Sequence, residues 1–467
     1  MKDNKENKMG TMPVKKLIVS MSVPMMISML VQALYNVVDS IYVSRLSMEA
    51  LTAVGIVFPL QNLMISVAMG TGVGINALLS KSLGEKKYET ANKAANNGVL
   101  LAVLSCAVFM ILSGFIVEPF ILSQTAKEGE ELAQDLDPLL VRECGITYGT
   151  ICCLLSLGMF LQMTFERLLQ STGRTILSMA SQMTGAIINI ILDPILIFGL
   201  AGAPKLGIAG AAYATVCGQV VASILAFILN IKFNKEIKFS FIEMIKPDRH
   251  VIGRIYQVGV PSILMMSIGS VMTYCLNIIL NGFSLTAQTV YATYFKIQSF
   301  FFMPVFGING GSIPVLAYNY GAKNKERIKE TLSFTVRLAV GIMLCGTLVF
   351  ELIPDILLAL FDASDDMLRI GVSALRIIAV HFPIAAVCIV LGSVFQAFSQ
   401  SIYSLIVSLC RQLVVLIPAA WLLSLTGKLD LVWFAFPIAE IGSLAVTLIF
   451  FRKVMNKVTK QMEEVLS

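Results

Sequence analysis

Apolar runs of roughly 20–30 residues recur twelve times along this chain, at about 15–44, 51–80, 94–119, 145–165, 174–199, 208–232, 253–282, 288–318, 332–360, 371–396, 402–424 and 429–453. Each is long enough to cross a hydrocarbon core of ~30 Å at about 1.5 Å per residue. Inside lipid every backbone amide must find its partner within its own segment, so such runs are helices. The period-two alternation of an outer-membrane barrel is absent. With 57% hydrophobic residues in 467, the chain carries more apolar surface than one soluble core can hide. The predicted fold class is an all-α integral membrane protein with twelve transmembrane helices.

The runs are not independent. Residues 23–89 overlay residues 260–326 without a gap at an offset of 237, with 15 identities in 67 positions. Pro24/Pro261, Gln61/Gln298 and Gly84/Gly321 are among them, so punctuation and polar residues align as well as apolar filler. A weaker echo joins Gln170-Ser171-Thr172-Gly173-Arg174 to Gln396-Ala397-Phe398-Ser399-Gln400 at an offset of 226. Internal repeats of this kind indicate two copies of one membrane unit. The expected domains are a six-helix bundle over 1–232, a charged linker over 233–252 with a short surface helix, a second six-helix bundle over 253–453 and a tail over 454–467. An even number of helices separates the copies, so the bundles are parallel, pseudo-symmetric repeats around a central cavity.

Charge sets orientation and removes several function classes. With both termini inside, 26 of the 35 Lys and Arg residues fall in inside segments; outside lie Arg45, Lys127, Arg142, Lys205, Arg369, Arg376 and Lys428. This bias predicts cytoplasmic termini in a plasma-membrane protein, and the net charge of +6 follows from it without implying nucleic-acid binding. The outer loop near 120–143 is acidic (Glu118, Glu128, Glu130, Glu131, Asp135, Asp137) and reads as a solvated loop. The first apolar run is too long for the core of a cleavable signal peptide. Nine cysteines without a C-x-x-C spacing read as small hydrophobic packing, with no disulfide framework and no metal cluster. No G-x-x-x-x-G-K-[ST], H-E-x-x-H or G-x-S-x-G is present, so neither ATP nor an enzyme's catalytic constellation is expected. Gly70, Gly72 and Gly74 read as helix packing rather than a phosphate loop. Energy must then come from an ion gradient, or solutes move downhill.

Carboxylates at membrane depth are expensive and usually functional. Asp39 lies in Tyr35-Asn36-Val37-Val38-Asp39-Ser40, and Asp193 in Asn189-Ile190-Ile191-Leu192-Asp193-Pro194. Asn189 and Asp193 are spaced i, i+4 and share a helix face. Pro194 removes a backbone donor and frees the carbonyl of Ile190. Two carboxyls, an amide and a loosened carbonyl can take a proton or a small hard cation. At the repeat offsets Asp39 meets Leu276, Asp193 meets Ala419 and Asn189 meets Val415, which confines this set to the first copy. A bland reading, carboxyls that only tie helices together, would more readily appear in both copies. Arg411 and Glu440 fall near mid-membrane and read as a structural ion pair. Lys296 either lines the cavity or extends outward.

Val23-Pro24 opening the first helix, Val38-Asp39 toward its outer end, Gly84 with basic residues after the second helix, and Arg167-Leu168-Leu169-Gln170-Ser171-Thr172-Gly173 after the fourth together resemble a MATE (multidrug and toxic-compound extrusion) transporter of the bacterial multidrug branch. The resemblance runs over essentially the whole chain. It implies an ion-coupling site in the N-terminal bundle at Asp39, Asn189 and Asp193, with Tyr148 and Thr215 contributing, and these oxygens as metal ligands if the ion is Na⁺. Helix seven (Tyr274, Cys275, Leu276, Asn277) lacks the acidic residue that some branches carry there. The implied activity is export of amphipathic, often cationic, organic compounds in exchange for H⁺ or Na⁺, by a secondary transporter and not an enzyme. The expected state is a monomer in the bilayer, with no cofactor besides the coupling ion. Tyr35, Asn36, Gln61, Tyr274, Asn277, Tyr294 and Gln298 are the expected cavity wall. The alternative within the superfamily is a lipid-linked-sugar flippase, which needs basic residues in the cavity; Lys296 and Arg411 are the candidates.

Overall fold

The computed structural model of the protein describes residues 7–127, 137–361 and 364–463; Glu128, Glu130, Glu131 and Asp135 of the acidic loop lie outside them. Among the described residues the chain is helical and has no strand. The helices are α1 (Lys8–Thr11), α2 (Val14–Leu46), α3 (Met48–Gly84), α4 (Tyr88–Lys127), α5 (Pro138–Leu154), α6 (Leu157–Ser171), α7 (Thr175–Phe198), α8 (Ile208–Phe233) and α9 (Phe241–Ile245). They continue as α10 (Arg249–Asn281), α11 (Leu285–Gly321), α12 (Lys325–Leu352), α13 (Pro354–Ala359), α14 (Asp365–Ala379), α15 (Phe382–Ala397), α16 (Ser401–Leu409), α17 (Ile417–Ser424), α18 (Leu429–Trp433) and α19 (Ala435–Glu463). A π-helical turn, Cys410–Leu416, joins α16 to α17.

Among the described residues ten helical segments are long and apolar enough to cross a membrane, and the spans number twelve with each of two bent pairs taken as one. The fourth and tenth spans, expected as single runs, are α5 with α6, bent by 48°, and α14 with α15, bent by 47°. In the later pair Pro383 supplies the reason: without an N–H it belongs in the first turn of a helix, and α15 begins at Phe382. In the earlier pair Gly158 brings α6 against the backbone of α8, where a Cβ would lie 3.0 Å from the Val220 nitrogen. The linker carries the expected short helix, α9, and α19 runs unbroken to Glu463 through most of the segment expected as a tail.

The chain folds into two compact units, and their boundaries do not follow the simple division at the linker. The first comprises Ser28–Leu79 and Tyr88–Gly253; the second comprises Met1–Ile27, Ser80–Lys87 and Arg254–Ser467. In the second unit the start of α2 lies on a stripe of small residues in α11. A Cβ on Gly307 would lie 2.6 Å from the Met26 nitrogen, and one on Gly311 2.9 Å from Ser22 Cα, so only glycine permits this approach. Arg327 fixes the segment before α2, donating to the carbonyls of Met9 (3.0 Å) and Met12 (2.8 Å). These contacts are why residues 1–27 belong with the helices after 253. Tyr291, Tyr294, Phe350, Phe382 and Trp433 fill the core of this unit, and Phe109, Phe160, Tyr148 and Val57 that of the first.

Candidate functional site

The first unit holds a track of polar side chains on apolar helices. It starts where α7 and α8 touch. A Cβ on Gly218 would sit 2.7 Å from the Gly185 carbonyl oxygen, and one on Gly185 3.0 Å from the Gly218 oxygen. One turn further along α7, Asn189 therefore reaches α8, and its Nδ2 donates to Thr215 Oγ1 at 3.3 Å and to Asp193 Oδ1 at 3.4 Å. Asp193 and Asn189 are buried. Asp39 of α2 comes within reach of Asp193, and Tyr35, one turn earlier on α2, lies near Asp39 and Glu166. Pro194 stands inside α7 directly after Asp193.

Three oxygens in this cluster, Asp39 Oδ1, Asp193 Oδ2 and Asn189 Oδ1, are buried without a hydrogen-bond partner. Buried acceptors are rarely left so. A cavity of about 80 Å³ reaches the cluster at Asn189 and Thr215, lined also by Tyr35, Gln162, Glu166 and Gln182 among others. The donor set is oxygen throughout: two carboxyls, an amide and a hydroxyl. That chemistry suits a proton or a hard monovalent cation and not a soft transition metal. Among the described residues no group of three or more His, Cys, Asp or Glu side chains is placed to hold a metal ion.

Of the other residues expected in the coupling set, Tyr148 is buried one layer away, its hydroxyl accepting from Gln61 Nε2 at 3.4 Å. Asn36 is exposed, as is Tyr274 at 68%. Asn277 is half-buried. Tyr294 packs in the aromatic core of the second unit, with its hydroxyl donating to Gln298 Oε1 at 2.6 Å. Lys296 is exposed. Arg411 and Glu440 do meet, Nη1 to Oε2 at 3.6 Å.

The polar track contains residues that the sequence reading passed over. Gln32 Oε1 accepts from Gln182 Nε2 at 3.1 Å, and Glu166 Oε1 accepts from Gln162 Nε2 at 3.0 Å and Ser181 Oγ at 3.4 Å. Glu166 is buried. Beside Arg167 at the end of an apolar run it looks like a terminal charge pair; the signal that marks it is Gln162 at i−4 on an otherwise apolar face. The motif that follows has a structural explanation. Arg167 packs over Gly72, where a Cβ would meet its Cγ at 2.7 Å, and its Nη1 donates to Gln170 Oε1 at 2.8 Å. Gln170 Nε2 in turn donates to Ser178 Oγ at 2.8 Å, Ser171 Oγ caps the Arg167 carbonyl, and Gly173 turns the chain with φ 86°.

Comparisons with known proteins agree with this architecture. The family model MatE matches residues 24–195 and 261–422. The two matched segments begin at Pro24 and Pro261, the register of the internal repeat. The chain belongs to the MatE family of membrane transporters. It is 25% identical to the multidrug export protein MepA of Staphylococcus haemolyticus over 90% of this chain and 89% of that protein. It is 24% identical to an FAD transporter of Shewanella oneidensis over 92% of each. Among solved structures, it superposes on an outward-facing multidrug resistance MATE family transporter of the MOP superfamily with a TM-score of 0.88, at 26% identity, covering 98% of this chain and 100% of the other. A MOP superfamily transporter from Pyrococcus furiosus, described as having a binding pocket of reverse polarity, gives 0.85 at 26% identity over 98% and 100%.

Proposed function

We propose that this protein is a cation-coupled antiporter that exports amphipathic, often cationic, organic compounds in exchange for H⁺ or Na⁺. The observation that carries the reading is the group of three unpartnered buried oxygens on Asp39, Asn189 and Asp193, with a cavity reaching Asn189. An ion that binds them satisfies acceptors the fold leaves open, and its departure leaves them costly again. That differential is what lets an ion shift a conformational equilibrium, since a ligand biases two states only by its difference in affinity for them. Asp39 and Asp193 take the ion, Asn189 and Thr215 orient it, and Tyr148 with Gln61 backs the cluster. Asp39 sits on α2, whose earlier residues belong to the second unit, so a shift of α2 on ion binding is felt in both units. The bundles rock between inward- and outward-open states, as parallel repeats do in other transporters. The protein works as a monomer in the plasma membrane with both termini cytoplasmic. One relative named for multidrug export and one named for FAD transport support movement of small molecules in general; the amphipathic, cationic cargo is what the family resemblance implies.

The test is uptake of a fluorescent organic cation into inverted vesicles, wild type beside Asp39→Asn, with a pH gradient alone and a Na⁺ gradient alone. One gradient is expected to drive the wild type and not the variant, which names the ion. Transport by Asp39→Asn at the wild-type rate would sink the reading.

A further inference from the structure

The second unit contains a larger cavity, about 290 Å³, that the coupling mechanism does not use. One side of it is a π-turn, Cys410–Leu416, a form that concentrates at functional positions. Pro418 follows directly; it lacks an N–H and its ring crowds the carbonyl of Val414, four residues earlier, so one α-helical bond is missing there. Arg411 and Gln412 on this turn line the cavity, with Asn309 of α11, Cys388 of α15, and Ser443 and Thr447 of α19. Methionines and phenylalanines of α10, α11 and α15 form its apolar wall.

Two features make this a built site. Glu440 Oε1, Asn309 Oδ1, Ser443 Oγ and Thr447 Oγ1 are buried without hydrogen-bond partners, and Glu440, Ser443 and Thr447 fall on one face of α19. The charge is also asymmetric. Glu440 has a side-chain exposure of 4% and does not line the cavity, whereas Arg411, at 30%, does. Their 3.6 Å contact engages Nη1, beyond ordinary hydrogen-bond length. A guanidinium offers five donors in a planar fork, and a structural ion pair of full strength would engage two of them with a carboxylate. Here that fork lines a pocket that also holds methionine and phenylalanine side chains and the buried hydroxyls of Ser443 and Thr447.

We propose that this cavity is a second binding site, for a small amphipathic molecule with an oxyanion head: the carboxylate or phosphate on Arg411, the apolar body against the methionine and phenylalanine wall. Ser443 and Thr447 donate to the same head and so satisfy groups that the fold leaves unpaired. The site lies wholly within the second unit and shares no lining residue with the cavity at the coupling cluster. Gly392, on the cavity wall, has open space where a Cβ would stand, so a larger side chain there fills the site without touching its charges.

The experiment uses the full-length protein in phosphatidylcholine nanodiscs and two matched fluorescent probes, dansylglycine with a carboxylate and dansylamide without one. Saturable dansylglycine binding is expected at least tenfold tighter than dansylamide. Arg411→Gln should weaken dansylglycine about tenfold and leave dansylamide within twofold. Gly392→Leu should abolish both, and Asp39→Asn should leave the preference for dansylglycine over dansylamide intact, which separates the head-group contact from the coupling site. Glu440→Gln, which frees Arg411 from its partner, should tighten dansylglycine binding and serves if Arg411→Gln does not fold. Equal affinity for the two probes, or an equal effect of Arg411→Gln on both, would overturn the proposal. Phosphatidylglycerol in the nanodisc separates two sources of the head group: competition with dansylglycine assigns the site to a lipid oxyanion, and its absence to a soluble one.

Discussion

Gly84 and Gly321 make the same contact on each other's helices. A Cβ on Gly84 would stand 2.0 Å from the carbonyl oxygen of Tyr318, and a Cβ on Gly321 would stand 2.2 Å from that of Lys81. Lys81 and Tyr318 are themselves repeat partners, as are the two glycines, each pair 237 residues apart. The contact is therefore reciprocal: the last turn of α3 and the last turn of α11 cross with each glycine under the other's carbonyl. This crossing places Ser80–Lys87 in the second unit, although the rest of α3 belongs to the first. Lys81 closes it from the side, its ammonium 4.7 Å over the Tyr320 ring.

Gly84→Ala and Gly321→Ala should therefore each cost about 3 kcal/mol, since a methyl cannot enter without parting two helix backbones. The double variant should cost less than twice that, because the first substitution has already separated the helices. Gly341→Ala is the control, as nothing lies within 4 Å of its Cβ position; it should gain about 0.5–1 kcal/mol from helix propensity alone. Thermal unfolding of the purified variants in one detergent gives all four values.

The turns after these helices extend the repeat to backbone detail. Lys86 and Lys323 hold left-handed φ values of 58° and 57°, and Gly173 and Ser399 of 86° and 60°. In each, the next amide bonds five residues back: Lys87 to Ser82, Asn324 to Asn319, Arg174 to Leu169 and Gln400 to Phe395. That is the Schellman closure, which favours glycine at the left-handed position. Only one of the four has it. Ser399→Gly should stabilise the protein by about 0.5–1 kcal/mol, and Gly173→Ser should destabilise it by a similar amount. Equal melting temperatures for wild type and both variants would show that the tertiary contacts of these turns, and not their backbone angles, set their stability.

The contrast between what the sequence showed and what it hid has physical causes. Length and hydropathy locate a span because lipid imposes one rule on every backbone, and the repeat showed itself because Gly84/Gly321 and Pro24/Pro261 keep their identities where packing demands them. Asp39, Asn189 and Asp193 were legible because a carboxyl in an apolar run has no ordinary reason to be there. Glu166 was not, since its neighbour Arg167 mimics a helix end. Hydropathy does not show how Tyr294 is held: its hydroxyl donates to Gln298, one turn on, while its ring packs in the aromatic core of the second unit. The bend between α5 and α6 has no proline to announce it, and the exchange of residues 1–27 and 80–87 between units depends on glycine contacts that hydropathy does not weigh.

Thr215 tests how tightly the coupling cluster is held. Its hydroxyl accepts from Asn189, whose amide also reaches Asp193. Thr215→Val keeps the shape and removes the acceptor, leaving one amide proton of a buried Asn189 without its partner. The expected loss is about 1–3 kcal/mol of stability. Gradient-driven transport should fall severalfold with it, because Asn189 no longer holds Asp193 in place, while substrate binding measured without a gradient stays unchanged. Transport at the wild-type rate in Thr215→Val would remove Thr215 from the coupling set.

Asp248 gives the linker a pH dependence of known sign. Its Oδ1 accepts from the backbone amides of His250 (3.0 Å) and Val251 (3.3 Å) at the start of α10, and Lys93 Nζ lies 3.6 Å from Oδ2. The Asp248 amide donates to Asn97 Oδ1 at 3.0 Å, so the cap is tied to α4 as well. The Val251 amide first, then His250 and the Lys93 charge, favour the ionised carboxylate and hold it below its ordinary range. A carboxyl whose folded-state value is depressed adds stability at any pH above its unfolded value, near 3.9 for Asp, and loses that stability as pH falls through the folded-state value. Asp248→Asn keeps an acceptor at the cap but carries no charge. The wild type should therefore melt higher than the variant from pH 5 to 8, and the gap should close as the pH is lowered from about 4 toward 3. A gap that stays constant across that range would assign the contribution of Asp248 to cap geometry alone and leave its charge without a role in holding the linker to α4.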